Sequence, residues 1–247
     1  MERPGEHVLD NAAWHSLVGP HQRFAVGEGP ARAYLDDVSV FHAAIDDSPA
    51  AWEALRALAT SDGAVVLFRG DPINVPPGWR ERFHGDGHQM VLTGPLPTVP
   101  PPPTVDPSTG AVVVMRVLDD ADAPAMVELV ALTEPGPFRP RTHELGGYVG
   151  IFHDARLMAM AGRRLHPPGY VEVSAVCTHP DARRRGYGSI VSARVAADIL
   201  ADGETPFLHV AVTNLGAYAV YEHLGFTTRR LVRFGAYQAP RPERPSP

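Results

Sequence analysis

The chain contains no lysine, so all 22 of its basic residues are arginine. That absence removes whole chemistries, because a P-loop requires G-x-x-x-x-G-K-[ST] and a pyridoxal phosphate enzyme requires a lysine for its Schiff base. Cys177 is the single cysteine. Neither an intrachain disulfide nor a cysteine-rich zinc module can therefore form, which suits a reducing compartment. No apolar run reaches the roughly 18 residues that suggest a membrane span, and Met1 to His7 lacks the cationic then apolar order of a secretory signal. A cytoplasmic protein with no membrane partner is expected. An excess of positive charge is missing as well: at a net charge of −6 the chain lacks the strongly basic character of a general nucleic-acid binder. The 12 histidines form no metal pattern, since His143-Glu144 lacks the second histidine of H-E-x-x-H and His153, His166 and His179 fall at turns. No metal is expected.

What is present is a globular composition. With 247 residues and 44% apolar content, the chain can bury one large core or two modest ones. The clearest seam is the run from Pro95 through Pro100-Pro101-Pro102-Pro103 to Pro107 and Gly110, which can form neither helix nor central strand. It divides the chain into an N-terminal α/β domain over 1–94 without a recognisable active site, a linker over 95–110, a second domain over 111–239, and a flexible tail over 240–247. A surface loop within one domain is the alternative reading of the proline run. In the first part, Ser48-Pro49 reads as an N-cap and first helical residue before Ala50 to Ala59, and Val65 to Phe68 and Gln89 to Leu92 read as strands.

The second part is more sharply patterned. Val112 to Leu118 reads as a strand, Asp119 to Leu132 as a helix with an aspartate-rich first turn, and Glu134 to Arg141 as an irregular loop. Tyr148 to Phe152, Leu157 to Arg163 and Tyr170 to Thr178 form an antiparallel meander joined by tight turns. Ser189 to Ala201 is a helix stopped by Gly203, Phe207 to Val212 a strand, Asn214 the cap of a last helix to Leu224, and Phe226 to about Tyr237 a final strand.

Between the meander and the Ser189 helix lies Arg183-Arg184-Arg185-Gly186-Tyr187-Gly188. A strand, a glycine-punctuated turn and a helix start direct several unpaired backbone N–H groups at one point, where a phosphate is favoured. A dinucleotide fold would want G-x-G-x-x-G and an acidic residue at the end of the next strand. Val191 holds the third glycine position here, and that strand ends at Thr213-Asn214. The bland reading of R-x-x-G-x-G alone is a solvated arginine turn capping a helix. Its surroundings are Glu172-Val173-Ser174-Ala175-Val176-Cys177-Thr178-His179-Pro180, Leu208-His209-Val210, and Asn214-x-x-Ala217-x-x-x-Tyr221-x-x-x-Gly225-Phe226. In this order and spacing the motifs resemble the GNAT superfamily of acyl-CoA-dependent N-acyltransferases, most closely its glycine N-acyltransferase-like branch, over Val112 to about Tyr237.

The resemblance implies an α/β fold in which a GNAT-type mixed sheet with splayed central strands fills the C-terminal half, behind a smaller α/β N-terminal domain that could be a degenerate copy of it. It implies acetyl-CoA as co-substrate, with Val176, Cys177 and Thr178 beside the pantetheine arm, Arg183, Arg184, Arg185, Gly186, Tyr187, Gly188 and Ser189 at the pyrophosphate, and Asn214 contacting the cofactor. Glu172 takes the family's carboxylate position, as general base or else as a structural partner, and is expected to share a strand face with Ser174 and Val176 by the period of two. Tyr221 takes the general-acid position, with core packing as its alternative. Cys177 reads as a small buried hydrophobe rather than a nucleophile, and His179 and His209 as structural or as lining the acceptor pocket. Phe138, Arg139 and Arg141 are candidates for that pocket, the arginines to pair with an acceptor carboxylate or else to be solvated or held in structural ion pairs. The implied activity is direct N-acetylation of a small or amino-acid-like amine; a silent acyl-CoA sensor or scaffold and a protein acetyltransferase are the competing readings. A homodimer is left open.

Overall fold

The computed structural model describes residues 7–70 and 72–240. The tail expected over 240–247 lies, beyond Pro240, outside them. The elements in chain order are α1 (Ala12–Leu17), β1 (Ala25–Val26), β2 (Ala31–Tyr34), β3 (His42–Ala44), α2 (Pro49–Ala57), β4 (Ala64–Arg69), β5 (Arg80–Leu92), β6 (Val113–Leu118), α3 (Ala123–Thr133), β7 (Tyr148–His153), β8 (Arg156–Arg163), β9 (Tyr170–Thr178), α4 (Tyr187–Ala201), β10 (Thr205–Ala211), α5 (Leu215–His223) and β11 (Phe226–Gln238). Local signals explain many of the boundaries. The Ser48 hydroxyl accepts from Ala51 N ahead of Pro49, and Asn214 Oδ1 accepts from Ala217 N, each satisfying one of the free donors of a helix start.

Eight strands form one sheet in the order β4-β11-β5-β10-β9-β8-β7-β6, and three short ones form a second, β1-β2-β3. The expected separation at 95–110 does not divide two sheets. β5, from before the proline run, pairs antiparallel with β10 on one side and β11 on the other, and β4 closes the edge beside β11. β4 and β5 therefore complete the sheet of the second part. The connection 95–110 runs along that sheet, with Leu96 and Val99 packed against its core.

β9 and β10 are the one parallel pair among the described strands. They are matched at Thr205 with Tyr170, Pro206 with Val171 and Phe207 with Glu172, and no further. Past Glu172 they part, which is the splay expected from sequence. The physical cause is visible on both strands. β10 continues into its pairing with β5, as far as Ala211 opposite Gly87. β9 carries a bulge: Ala175 has φ +53°, and the register against β8 slips between Met160 opposite Cys177 and Gly162 opposite Ser174. An extra residue bends the bulged strand and reverses which residues face which side.

The bulge corrects one expectation from simple alternation. Val171, Val173 and Val176 belong to the core under α4 and α5, while Ala175 and Cys177 pack into the cluster with Met126 and Leu129 of α3. Val176 thus leaves the face of Glu172, and Ala175 and Cys177 take its place. That second face is covered by α3 near β6–β9 and by the N-terminal segment, through Leu9, Trp14, Leu17, Phe41 and Phe68, near β10.

Candidate active site

The splay opens beside the start of α4. Gly186 at φ +76° is its N-cap position and offers no side-chain cap, and Arg184 at φ +64° sits in the same left-handed region two residues earlier. Ile190 N is the first helix donor bonded, to Gly186 O at 3.0 Å. Within this 15-residue helix the N–H groups of Tyr187, Gly188 and Ser189 are left to an outside acceptor, as helix geometry requires. A Cβ built on Gly188 would meet only Thr178 Oγ1, at 3.7 Å. Protein packing therefore does not demand glycine there, and the open side fits a ligand pressed against the backbone.

Side chains of the same turn behave differently from one another. Arg183 and Arg184 are exposed. Arg185 is turned back into the protein, with Nη1 on Asp106 Oδ2 and Nη2 at 2.9 Å from Ser108 Oγ. The Tyr187 ring is buried and its hydroxyl lies 2.8 Å from His153 Nε2, so only its backbone can serve the cradle. On β9, His179 N donates to Met158 O of β8. Alternation of backbone groups then turns Val176 and Thr178 toward the gap and Cys177 toward β8. Cys177, expected among the cofactor contacts, is 6% exposed beneath α3, and burial pushes its thiol up to about 11. It is an inert core thiol.

Glu172 lies at the point where the strands part, fully buried. Its carboxylate accepts four hydrogen bonds: Arg164 Nε at 2.8 Å and Nη2 at 2.6 Å, Leu165 N at 3.2 Å and His209 Nδ1 at 2.7 Å. Burial alone would raise its pKa; the Arg164 charge and hydrogen bonds, with the hydrogen bond from His209, outweigh that and hold it down at about 2. His209 is locked in turn. Arg229 Nη1 donates to Gln89 Oε1, which orients the Gln89 amide to donate to Leu9 O at 2.7 Å and to His209 Nε2 at 3.1 Å. The imidazole is therefore neutral with its Nδ1–H on Glu172, and burial lowers its pKa. A general base needs a free lone pair and a pKa near the working pH. Glu172 has neither here; of the two roles expected for it, its contacts are those of the structural partner, welding β9 to β10 and to the N-terminal segment.

That weld carries a pH signature. An ordinary glutamate titrates near 4.5 and Glu172 near 2, so on acidification the unfolded chain takes the proton first. Its contribution to stability is complete above about pH 5 and is lost progressively as pH falls from there toward 2. Denaturant melts at pH 7, 4 and 3 should show this loss, and Glu172→Gln should flatten it.

Tyr221, on α5, is 7% exposed, and its hydroxyl makes no hydrogen bond with the described residues. Burial raises its pKa, and the negative charge of Glu172 acts in the same direction, so the phenol stays protonated. Asn214 caps α5 at an exposed position, as expected. Among the acceptor-pocket candidates, Arg141 is engaged in structural ion pairs, the alternative expected for it. It pairs with Glu144 through Nε and Nη2 at 2.6 and 2.8 Å and with Asp37 through Nη1 at 3.0 Å, pinning its loop to the N-terminal segment. Arg139 is exposed, and Phe138 stacks edge-on against Tyr148 with centroids 6.0 Å apart. Arg164, Gln89 and Asp106 were not foreseen. The first could have been found, because a hairpin turning at 165–169 sets Arg164 across from Glu172.

A mixed sheet split between two parallel strands, with bare helix N–H groups at the mouth of the split, defines an acyl-CoA-dependent acyltransferase. The comparisons agree. The FR47-like protein family matches residues 148–234. A GNAT-family protein from Novosphingobium aromaticivorans is 35% identical, over 95% of this chain and 99% of its own, with a TM-score of 0.83. The same fold is shared by a GCN5-related N-acetyltransferase from Kribbella flavida (20% identity, 94% and 96% coverage, TM-score 0.60) and a GCN5-related N-acetyltransferase-like protein from Streptococcus suis (15%, 92% and 92%, 0.57). No curated protein matches the chain. The chain belongs to the GNAT family of acetyltransferases and is an acyl-CoA N-acyltransferase. Among the described residues no helix is long and apolar enough to cross a membrane, and no group of histidine, cysteine and acidic side chains could hold a metal.

Proposed function

We propose that this enzyme transfers the acetyl group of acetyl-CoA directly to the amine of a small, amino-acid-like acceptor, in the cytoplasm and within the glycine N-acyltransferase-like branch. The observation that carries the reading is the gap past Glu172 facing the free N–H groups of Tyr187, Gly188 and Ser189. The pyrophosphate would sit on those donors, with Arg183 and Arg184 adding attraction at longer range. The pantetheine arm would pair with Val176 and Thr178 as a neighbouring strand does, and Asn214 would face its far side. The thioester then falls beside Tyr221.

In the transfer, the neutral amine attacks the thioester carbon, the C–N bond forms as the C–S bond breaks, and Tyr221 O–H gives its proton to the departing sulfur. The amine proton leaves to water, since Glu172 is spent on Arg164 and His209. The pH dependence of kcat/KM should accordingly follow the acceptor's own amine pKa and show no inflection from a carboxylate between pH 5 and 8. The buried state of Cys177 supports direct transfer over an acyl-cysteine.

Thiol release from acetyl-CoA over a panel of small amines, amino acids and peptides tests the assignment. Turnover with amino-acid-like amines is expected. Modification of peptides alone would make this a protein acetyltransferase. The engagement of Glu172 with Arg164 and His209 also favours a silent acyl-CoA sensor, and binding without any thiol release, even hydrolytic, would establish that instead. Within the cradle, Gly188→Leu should weaken coenzyme A binding more than Arg183→Ala does, because the backbone provides the grip. The reverse order, read by calorimetry, would refute this placement.

A further inference from the structure

The strongest unassigned cluster lies behind the cradle. Asp106 comes from the proline-rich connection and is fully buried although its neighbours Val105 and Pro107 are exposed. The connection folds back on itself around it: Asp106 N donates to Ala111 O at 2.9 Å, Gly110 N to Asp106 O at 2.8 Å, and Val105 bridges Val112. Its carboxylate is fixed from the same side by Ser108 N and Ser108 Oγ, each at 2.8 Å on Oδ1. The other oxygen faces the cofactor turn, where it takes Arg185 Nη1 and lies 3.3 Å from His153 Nδ1. His153 passes the contact on to the Tyr187 hydroxyl. One carboxylate thus holds the residue before Gly186 and, through an imidazole, the first residue of α4.

Both sit at or just before the start of the stretch whose N–H groups are free, and the turn leading into it is strained at Arg184, a non-glycine residue held left-handed directly before Arg185 and two residues before left-handed Gly186. A strained turn keeps one shape only where its surroundings over-determine it. We propose that Asp106 is a positioning residue for the coenzyme cradle: the proline-rich connection is a brace that sets the donor geometry for the pyrophosphate, and Arg185 is its tie rather than a phosphate ligand. This rests on the assignment of the cradle to acetyl-CoA.

The two ideas separate in one set of measurements on the full chain: the affinity for coenzyme A by calorimetry, and the KM for acetyl-CoA, the KM for the acceptor and kcat by thiol release. Asp106→Asn should raise the coenzyme A Kd and the acetyl-CoA KM about tenfold, while the acceptor KM and kcat at saturating acetyl-CoA change by less than about twofold. Asp181→Asn removes the same charge from the exposed side of the turn and should leave Kd unchanged. Ser108→Ala, at an exposed position, keeps the test open if Asp106→Asn does not fold; a rise of about threefold is expected. Unchanged or tighter binding in Asp106→Asn, with Gly188→Leu still weakened, would overturn the brace and leave the cradle standing, since a freed Arg185 would then be reaching the phosphate. If Gly188→Leu binds as well as the native chain, the cradle is misplaced and the brace falls with it.

Discussion

Glu172→Ala is expected to cost about 3 to 5 kcal/mol of folding stability, because it leaves the Arg164 guanidinium buried without its partner. In a chain of this length that is a fall in Tm on the order of 10 °C. Loss of activity in this variant alone would say nothing about proton transfer, since the weld between β9 and β10 is what keeps the splay in shape. The informative variant is Glu172→Gln combined with Arg164→Met. It removes both charges, keeps an amide oxygen for the His209 Nδ1–H, and replaces a costly buried ion pair by apolar packing. We expect it to fold and to retain kcat within about tenfold. A folded double variant that has lost the 10²- to 10⁴-fold typical of a missing general base would return Glu172 to the role of proton acceptor.

Tyr221→Phe should lower kcat by about 10²-fold, the lower end of what a positioned general acid contributes, with the KM for acetyl-CoA nearly unchanged. The ring remains to pack against Phe226, at 6.2 Å between centroids, so stability should shift by less than about 1 kcal/mol; no hydrogen bond with the described residues is lost. Because a leaving group that is already a good anion needs the proton least, an acyl donor with a more acidic thiol should recover much of the lost rate. Retention of kcat within threefold for acetyl-CoA would reduce Tyr221 to a packing residue.

The sequence by itself determined the order of elements from β6 to β11 and the glycine-punctuated turn before α4. Both are written in local chemistry: apolar period, Asn214 as a cap, and glycines where a backbone must turn left-handed and lie open. The resemblance of its motifs also singled out Glu172, which lies where β9 and β10 part. The tertiary structure decided what that residue can do. Nothing local distinguishes a free carboxylate from one that meets Arg164 eight residues earlier and His209 37 residues later, and that difference moves Glu172 from proton acceptor to weld. The bulge at Ala175 is one residue with positive φ, below the resolution of an alternating pattern, yet it turns Val176 to the other face. The short strands β1, β2 and β3 carry no readable period. The place of β5 between β10 and β11 depends on edges that form only when residues 116 and more positions apart pair, as Val91 and Phe207 do. Asp106 and Arg185 meet across 79 positions, through a connection that the proline pattern could mark as irregular and could not place. Local propensity fixes elements; burial, charge pairing and strand edges act between elements, and those made a linker into a brace and two domains into one sheet.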